Sequence, residues 1–242
     1  MSNKFGILGH NISYSLSPKI YAYWFDKYNI ESRYDLIDVA EINPAIIRDY
    51  KGFNITKPYK EKILPLLKGL SVETHLIKAV NLVVDGVGYN TDYLGLLDSY
   101  KYYNIETLGK NILILGAGGA ARAVVYSLKD AKSNIFIYNR TPEKVDKIIA
   151  DFKDLNVQQY KENIHPDIIF NATTLTFAEI LVQAGLKNND KTIYYDLNYY
   201  HNKSGEQIDG LYMLLSQATY NFEKFFGILP QVNQQLINHI KS

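Results

Sequence analysis

The sequence predicts an α/β protein of two domains, and three observations predict it. Past residue 110, short apolar runs and helical patterns alternate at 111–115, 120–130, 134–138, 142–152, 166–170 and 192–197. That alternation argues for a parallel sheet with right-handed crossovers. The first run passes directly into Gly116-Ala117-Gly118-Gly119-Ala120-Ala121, a G-x-G-x-x-A turn opening a helix. Ahead of it, residues 104–110 are polar and contain Gly109, which marks a junction after a first, less regular set of strands and helices.

The first half can be taken in order. Lys4–Gly9 is an apolar strand, and Asn11–Ser15 a polar turn. Ser17-Pro18 has the form of an N-cap followed by Pro at N1, opening an amphipathic helix to about Tyr28. Arg33–Val39 is a second strand, followed by a helix around residues 44–50. Gly52–Thr56 is a third strand, which ends in Lys57-Pro58-Tyr59-Lys60. Residues 61–67 suggest a short helix interrupted at Pro65, and Ala79–Asn90 a hairpin turned by Asp85-Gly86. Thr91-Asp92 then caps a helix to about Tyr103. At the far end, Leu211–Phe226 and Gln231–Ile240 are two helices separated by Gly227 and Pro230.

Composition narrows the function. A chain of 242 residues with 47% apolar and 21% charged residues can bury a substantial core. The net charge, 26 − 25 = +1, gives no reason to expect nucleic acid or an anionic membrane surface. There is no cysteine, which excludes disulfides and thiolate chemistry, and the five histidines are scattered, so no metal is expected. The start of the chain lacks a charged-then-apolar leader pattern, and no run reaches the roughly 18 apolar residues of a membrane span. The expectation is a cytoplasmic protein, a monomer or homodimer, whose partner is a small molecule. The 21 tyrosines, mixed with Asn, Lys and Ile, read as compositional bias.

The glycine turn has a specific chemistry. Gly116 permits the tight turn, Gly118 lets the backbone approach a pyrophosphate, and Ala121 lets helix and strand pack closely. The free N–H groups at the helix start favour an anion there. The next strand, Asn134–Tyr138, ends in Asn139-Arg140-Thr141. An NAD site normally places an acid at that tip for the ribose 2′-hydroxyl, whereas a basic residue suits a 2′-phosphate. Arg140, with Lys144 one turn into the next helix, therefore points to NADP as cofactor.

Taken singly, the remaining candidates have ordinary explanations. Ser17 and Asp92 fit helix caps, Lys60 sits in a lysine-rich stretch, and Gln217 is one polar residue on a helix. Taken together and in order, the motifs resemble the shikimate dehydrogenase family over nearly the whole chain. They are Gly9-His-Asn-Ile-Ser-Tyr-Ser15-Leu-Ser17-Pro18, Asn54-Ile-Thr56-Lys-Pro-Tyr-Lys60, Ala79-Val-Asn81, Asn90-Thr-Asp92, the 116–122 turn, Asn139-Arg-Thr141 and Asp209-Gly-Leu-Tyr-Met-Leu-Leu-Ser-Gln217. The resemblance implies a substrate-binding α/β domain over 1–95, completed by returning C-terminal helices at 211–242. Between them, 96–210 would be a Rossmann-like NADP-binding domain. It further implies reversible NADPH-dependent reduction of 3-dehydroshikimate to shikimate, a step of aromatic amino acid and chorismate biosynthesis.

By position, Lys60 and Asp92 match the family's catalytic pair, and Ser15, Ser17, Thr56, Asn81, Tyr199 and Gln217 its substrate contacts. Cofactor contacts would come from Gly116, Ala117, Gly118, Gly119, Ala120, Asn139, Arg140, Thr141, Lys144 and Thr173. Reducing a ketone builds negative charge on oxygen, so a cation and a proton donor belong beside it. Lys60 can be both, with Asp92 to orient it.

The sequence also departs from the family pattern. After Asn171-Ala-Thr173 it reads Thr174-Leu-Thr-Phe-Ala where a Gly-Met-type loop is usual. Only residues 200–208 stand where the family carries a further helix, and Tyr212 and Tyr21 replace a common glycine and histidine. Two alternatives follow: a quinate/shikimate dehydrogenase of broader cofactor use, and a ligand-binding paralogue without turnover.

Overall fold

The computed structural model describes residues 4–162, 164–199 and 207–242. The chain divides into two units, one reaching to Gly95 and resuming over Leu215–Ser242, the other Leu96–Leu214.

The first unit contains, in chain order, β1 (Lys4–Gly9), α1 (Ser17–Lys27), β2 (Arg33–Asp38), α2 (Ile46–Asp49), β3 (Gly52–Ile55), β4 (Gly69–Leu70), α3 (Val72–Ile77), β5 (Leu82–Val84) and β6 (Val87–Tyr89). A single 3-10 turn at Leu64–Leu66 stands in place of the expected helix interrupted at Pro65. Among the described residues the strands form one mixed sheet in the order β2-β1-β3-β5-β6-β4. β1 pairs in parallel with β2 and β3, whereas β3–β5 and the β5–β6 hairpin are antiparallel. Both turn residues of that hairpin, Asp85 and Gly86, have positive φ (50° and 84°), as a two-residue turn matching strand twist requires.

Alternation along the strands determines what each face of this sheet covers. Leu8, Ile37, Phe53 and Ile55 face one core together with Tyr59, Ile63 and Val80. On the other face Phe5 lies 4.8 Å from Phe225. Asn54, between Phe53 and Ile55, points to this second face, where α1 packs.

Helix α1 corrects one expectation. Its N-cap is Leu16, with no side-chain cap, so Ser17 is the first helical residue and its hydroxyl is released for other work. α4 (Asp92–Tyr102) then carries the chain into the second unit.

There follow β7 (Asn111–Leu115), α5 (Gly119–Ser127), β8 (Asn134–Tyr138), α6 (Pro142–Asp151), β9 (Val157–Gln159), β10 (Ile168–Asn171), α7 (Phe177–Gln183) and β11 (Ile193–Asp196). Among the described residues these strands form a parallel sheet, β11-β10-β7-β8-β9. The order reverses at β7, so β7 and β10 start crossovers on opposite sides, and the crevice at their carboxyl ends is where such sheets take ligands. β7 is buried over Ile112–Leu115 because both its faces are covered, which explains its continuous apolar run. Leu113, Leu115, Phe136 and Ile169 pack under Phe177, Ile180 and Leu181 of α7.

The glycine-free Thr174–Ala178 stretch runs into the first turn of helix α7. Thr176 caps it in a reciprocal capping box with Glu179, so this stretch ends in a helix start. Between β11 and the next helix, residues 197–199 and 207–210 hold no helix, and 200–206 of the shortened segment lie outside the described residues. α8 (Leu211–Phe226) returns the chain to the first unit, and α9 (Gln234–Lys241) closes it.

Candidate active site and nucleotide cradle

The first unit gathers a polar cluster where the end of β3, the start of β5, the start of α4 and the middle of α8 meet. Lys60 Nζ lies 2.5 Å from Asp92 Oδ2. The other carboxylate oxygen, Oδ1, accepts from Asn81 Nδ2 at 2.8 Å. Asn81 is itself fixed: its Oδ1 accepts from the Thr91 backbone N–H at 2.8 Å, and Nδ2 also reaches Thr91 Oγ1 (2.8 Å) and Gln217 Oε1 (3.1 Å). The Thr91 hydroxyl donates to Asn221 Oδ1 at 2.6 Å, and Asn221 Nδ2 donates to Gln217 Oε1 at 2.7 Å. Asn81, Thr91, Asp92, Gln217 and Asn221 are all buried, so each bond replaces one with water that folding removed.

Just ahead of α4, Asn90 Oδ1 accepts from the Asp92 backbone N–H at 3.0 Å. The two oxygens of the Asp92 carboxylate go to Lys60 and Asn81. A cation held against a fixed, buried carboxylate is a preorganised donor for oxygen that is gaining charge.

The serine motif forms a second group. Ser15 Oγ accepts from the Ser17 backbone N–H at 3.3 Å. Ser17 itself is buried at the start of α1. The Tyr34 hydroxyl donates to Asn54 Oδ1 at 2.7 Å, and Tyr21 donates to the same oxygen at 3.0 Å. Asn54 Nδ2 donates to the Asn81 carbonyl at 3.2 Å, which joins the two tyrosines to the Lys60–Asp92 cluster. Thr56 follows β3 with its backbone N–H on Leu8 O (2.9 Å), between the two groups in sequence. Burial pushes the phenols of Tyr21 and Tyr34 well above the ordinary 10.0, so both stay protonated donors.

Of the sequence candidates in this unit, Lys60, Asp92, Asn81 and Gln217 are linked by direct contacts, while Ser15 and Ser17 bond each other. Tyr199 follows β11 in the other unit. Sequence reasoning left out Asn54, Thr91, Tyr34 and Asn221. Asn221 had a usable signal, since it stands four residues after Gln217 and so shares its face of α8. Tyr34 had none, because a half-covered aromatic on a strand is an ordinary core residue.

The second unit holds the nucleotide candidates. Gly116 has φ +109°, and a Cβ on it would lie 3.1 Å from Ala172 O, so the turn between β7 and α5 calls for glycine. Gly118 is the N-cap of α5 and supplies no side-chain cap, leaving the first-turn N–H groups of Gly119 and Ala120 to a ligand. A Cβ placed on Gly118 meets nothing within 4 Å, so open space lies where a pyrophosphate would approach. Ala117 is buried at the turn.

At the tip of β8, Asn139 Nδ2 donates to Thr141 O at 3.0 Å, Thr141 is the N-cap of α6, and Lys144 N bonds Thr141 O at 3.2 Å. Arg140 and Lys144 are exposed and make no ion pair among the described residues. Two uncommitted cations beside an uncapped helix start fit a dinucleotide bearing an extra phosphate. Beyond β10, Thr173 is held by its backbone N–H and hydroxyl on Asn171 Oδ1 (3.0 and 2.7 Å), and Asn198 Nδ2 donates to its carbonyl at 3.0 Å. Thr173 thus sits at the carboxyl edge of the same parallel sheet as the cradle.

Comparison with known proteins agrees with this division. Residues 7–83 match the family profile described as the shikimate dehydrogenase substrate binding domain, and residues 101–197 the profile described as shikimate / quinate 5-dehydrogenase. The NADP(+) shikimate dehydrogenase of Carboxydothermus hydrogenoformans is 33% identical over 94% of this chain and 92% of its own. That of Pelagibacter ubique is 32% identical over 98% of both chains. Among solved structures, shikimate 5-dehydrogenase of Thermus thermophilus in complex with NADP(H) and shikimate matches 100% of this chain and 99% of its own, at TM-score 0.81 and 28% identity. Shikimate dehydrogenase of Aquifex aeolicus matches at TM-score 0.83 and 31% identity, over 99% and 97% of the two chains. With relatives this similar along the whole chain, and both halves matching in order, the chain belongs to the shikimate dehydrogenase family.

Proposed function

We propose that this chain is an NADP-dependent shikimate dehydrogenase, interconverting 3-dehydroshikimate and shikimate in aromatic amino acid and chorismate biosynthesis. The observation that carries the reading is the Lys60–Asp92 pair, seated 2.5 Å apart on the Asn81 amide in a chain of this family. Bound NADPH supplies the hydride for the C3 carbonyl carbon, and oxidised NADP takes it back. Lys60 Nζ offers the proton to the oxygen that gains charge, and removes it in the reverse direction. Asp92 holds the ammonium in place and balances its charge.

Ser15, Ser17, Thr56, Asn81, Gln217 and Tyr199 take the carboxylate and hydroxyls of the ring, because hydroxyls and amides donate and accept without adding charge. Gly116–Ala120 cradle the pyrophosphate, while Asn139, Arg140, Thr141 and Lys144 take the 2′-phosphate end, and Thr173 lines the nicotinamide side. The enzyme works on a small molecule in the cytoplasm, as a monomer or homodimer. No helix among the described residues is long and apolar enough to cross a membrane.

The test is NADPH formation when the purified protein meets shikimate and NADP. Lys60→Ala should lower turnover at least about a hundredfold, the usual loss for a general acid–base group, with shikimate binding largely kept. Wild-type turnover in that variant would sink the role given to Lys60. A broader quinate/shikimate activity, suggested by the profile over residues 101–197, is decided by comparing the two substrates with each cofactor.

A further inference from the structure

The stacked rings of Tyr21 and Tyr34 form a device that the reaction itself does not explain. Their centroids are 3.9 Å apart at an interplanar angle of 13°. They come from α1 and β2, yet both hydroxyls converge on one atom, Asn54 Oδ1, at 3.0 and 2.7 Å. An amide oxygen has two lone pairs, so two donors saturate it. The remaining amide group, Nδ2, must then turn the other way, where one hydrogen meets the Asn81 carbonyl at 3.2 Å. Its second hydrogen has no partner among the described residues, although Asn54 is only 6% exposed.

With two hydroxyls holding its oxygen, the amide cannot flip without leaving that oxygen unpaired, and a buried unpaired carbonyl is costly.

We propose that Tyr34 and Tyr21 are positioning residues that fix the hydrogen-bond polarity of the substrate pocket, holding Asn54 as a pure donor toward the bound ring. The proposal rests on the dehydrogenase reading for the identity of that ring. It concerns binding more than chemistry. The Asn81 amide that orients Asp92 has its own anchor in the Thr91 N–H at 2.8 Å, so the Lys60–Asp92 pair survives loss of the tyrosine hydroxyls.

Tyr21→Phe, Tyr34→Phe and the double variant keep both rings and remove only hydroxyls. Calorimetric shikimate binding and steady-state kinetics are measured for each beside the wild type, with thermal unfolding as a control. Each single variant leaves one donor on Asn54 and is expected to raise the shikimate Kd and KM about two- to fivefold. The double variant frees the amide and should raise them at least about thirtyfold, more than the product of the singles, while kcat stays within about threefold and the NADP KM is unchanged.

A double variant with wild-type shikimate affinity overturns the proposal, as does one in which kcat and both KM values worsen together, the mark of a merely structural role. If the double variant shows no folding transition, the singles decide, and wild-type affinity in both overturns it. Wild-type protein that binds shikimate without turning it over overturns the dehydrogenase reading, and the calorimetric comparison still judges the tyrosines. Absence of shikimate binding by the wild type overturns both.

Discussion

Asp92→Asn isolates what the carboxylate gives to Lys60. The substitution keeps the shape, and the new amide can still present its oxygen to Asn81 Nδ2, which now sits 2.8 Å from Oδ1. That choice turns the amide NH2 toward the Lys60 ammonium, where Oδ2 now stands at 2.5 Å, so a donor faces a donor. The Lys60 side chain is 19% exposed and that of Asp92 5%, between the surface and buried limits. Breaking a buried pair costs about 3–5 kcal/mol and a surface pair at most about 1. A loss near 2 kcal/mol is expected, or roughly 4–8 °C in Tm for a chain of this size. Turnover should suffer more, because a misplaced acid–base group costs about 10²–10⁴ in rate, which is about 3–5 kcal/mol of barrier. The assay follows NADPH absorbance at saturating shikimate and NADP, with thermal unfolding on the same preparations. A kcat within about threefold of wild type, or a loss carried wholly by the shikimate KM, would refute the assignment of Asp92 as orienting partner.

Three further outcomes follow from the same structure. Gly118→Ala has φ −104° and open space for its methyl, so Tm should hold while the NADP KM rises at least about tenfold as the pyrophosphate loses its approach; a matching fall in Tm would mean the glycine serves the fold. Arg140→Ala should raise the NADP KM about tenfold or more and narrow the preference over NAD, leaving the shikimate KM in place; equal losses for both ligands would make Arg140 structural. Asp35 is the pH probe. Burial opposes its ionisation, but the bonds from Arg33 Nη2 (2.9 Å) and Tyr50 (2.9 Å) outweigh it and hold its pKa below the ordinary 3.8. Its contribution is therefore present above that value and lost as pH falls through the lower folded value. The Tm gap between wild type and Asp35→Asn should be small because Arg33 is exposed, and it should close on acidification below about pH 4; a constant gap would rule this out.

Much of the fold was legible because the second unit announces itself. Buried parallel strands are continuous apolar runs, and those at 111–115 and 134–138 are where the structure has β7 and β8. Short elements escaped, since three residues in β9 and six in α3 are too few to display a period. α7 hid for another reason, as its start signal is the Thr176–Glu179 box and its polar cap resembles a loop. At the site, ordered motifs singled out Lys60, Asp92, Asn81 and Gln217, yet only three dimensions could show that Asn81 bridges Asp92 and Gln217. Ser17 reads as a cap because Ser before Pro is the pattern of a helix start. Which residue truly caps depends on φ and ψ at Leu16, −80° and −9°, which no residue-type preference specifies.

The buried amides of α8 have a consequence for how the protein is made. Thr91 meets Asn221 across 130 residues of sequence, and Asn81 meets Gln217 across 136. A ribosome therefore delivers Lys60, Asn81 and Asp92 long before the side chains that complete their surroundings. Until α8 is synthesised, Asn81 and Thr91 have lost none of their affinity for water, and the pocket has little reason to close. Contacts of such separation slow folding, because the intervening chain must be ordered before they form. The catalytic half is thus finished last although it is encoded first, while the parallel sheet between, whose strands pair within the stretch 111–196, can be complete beforehand.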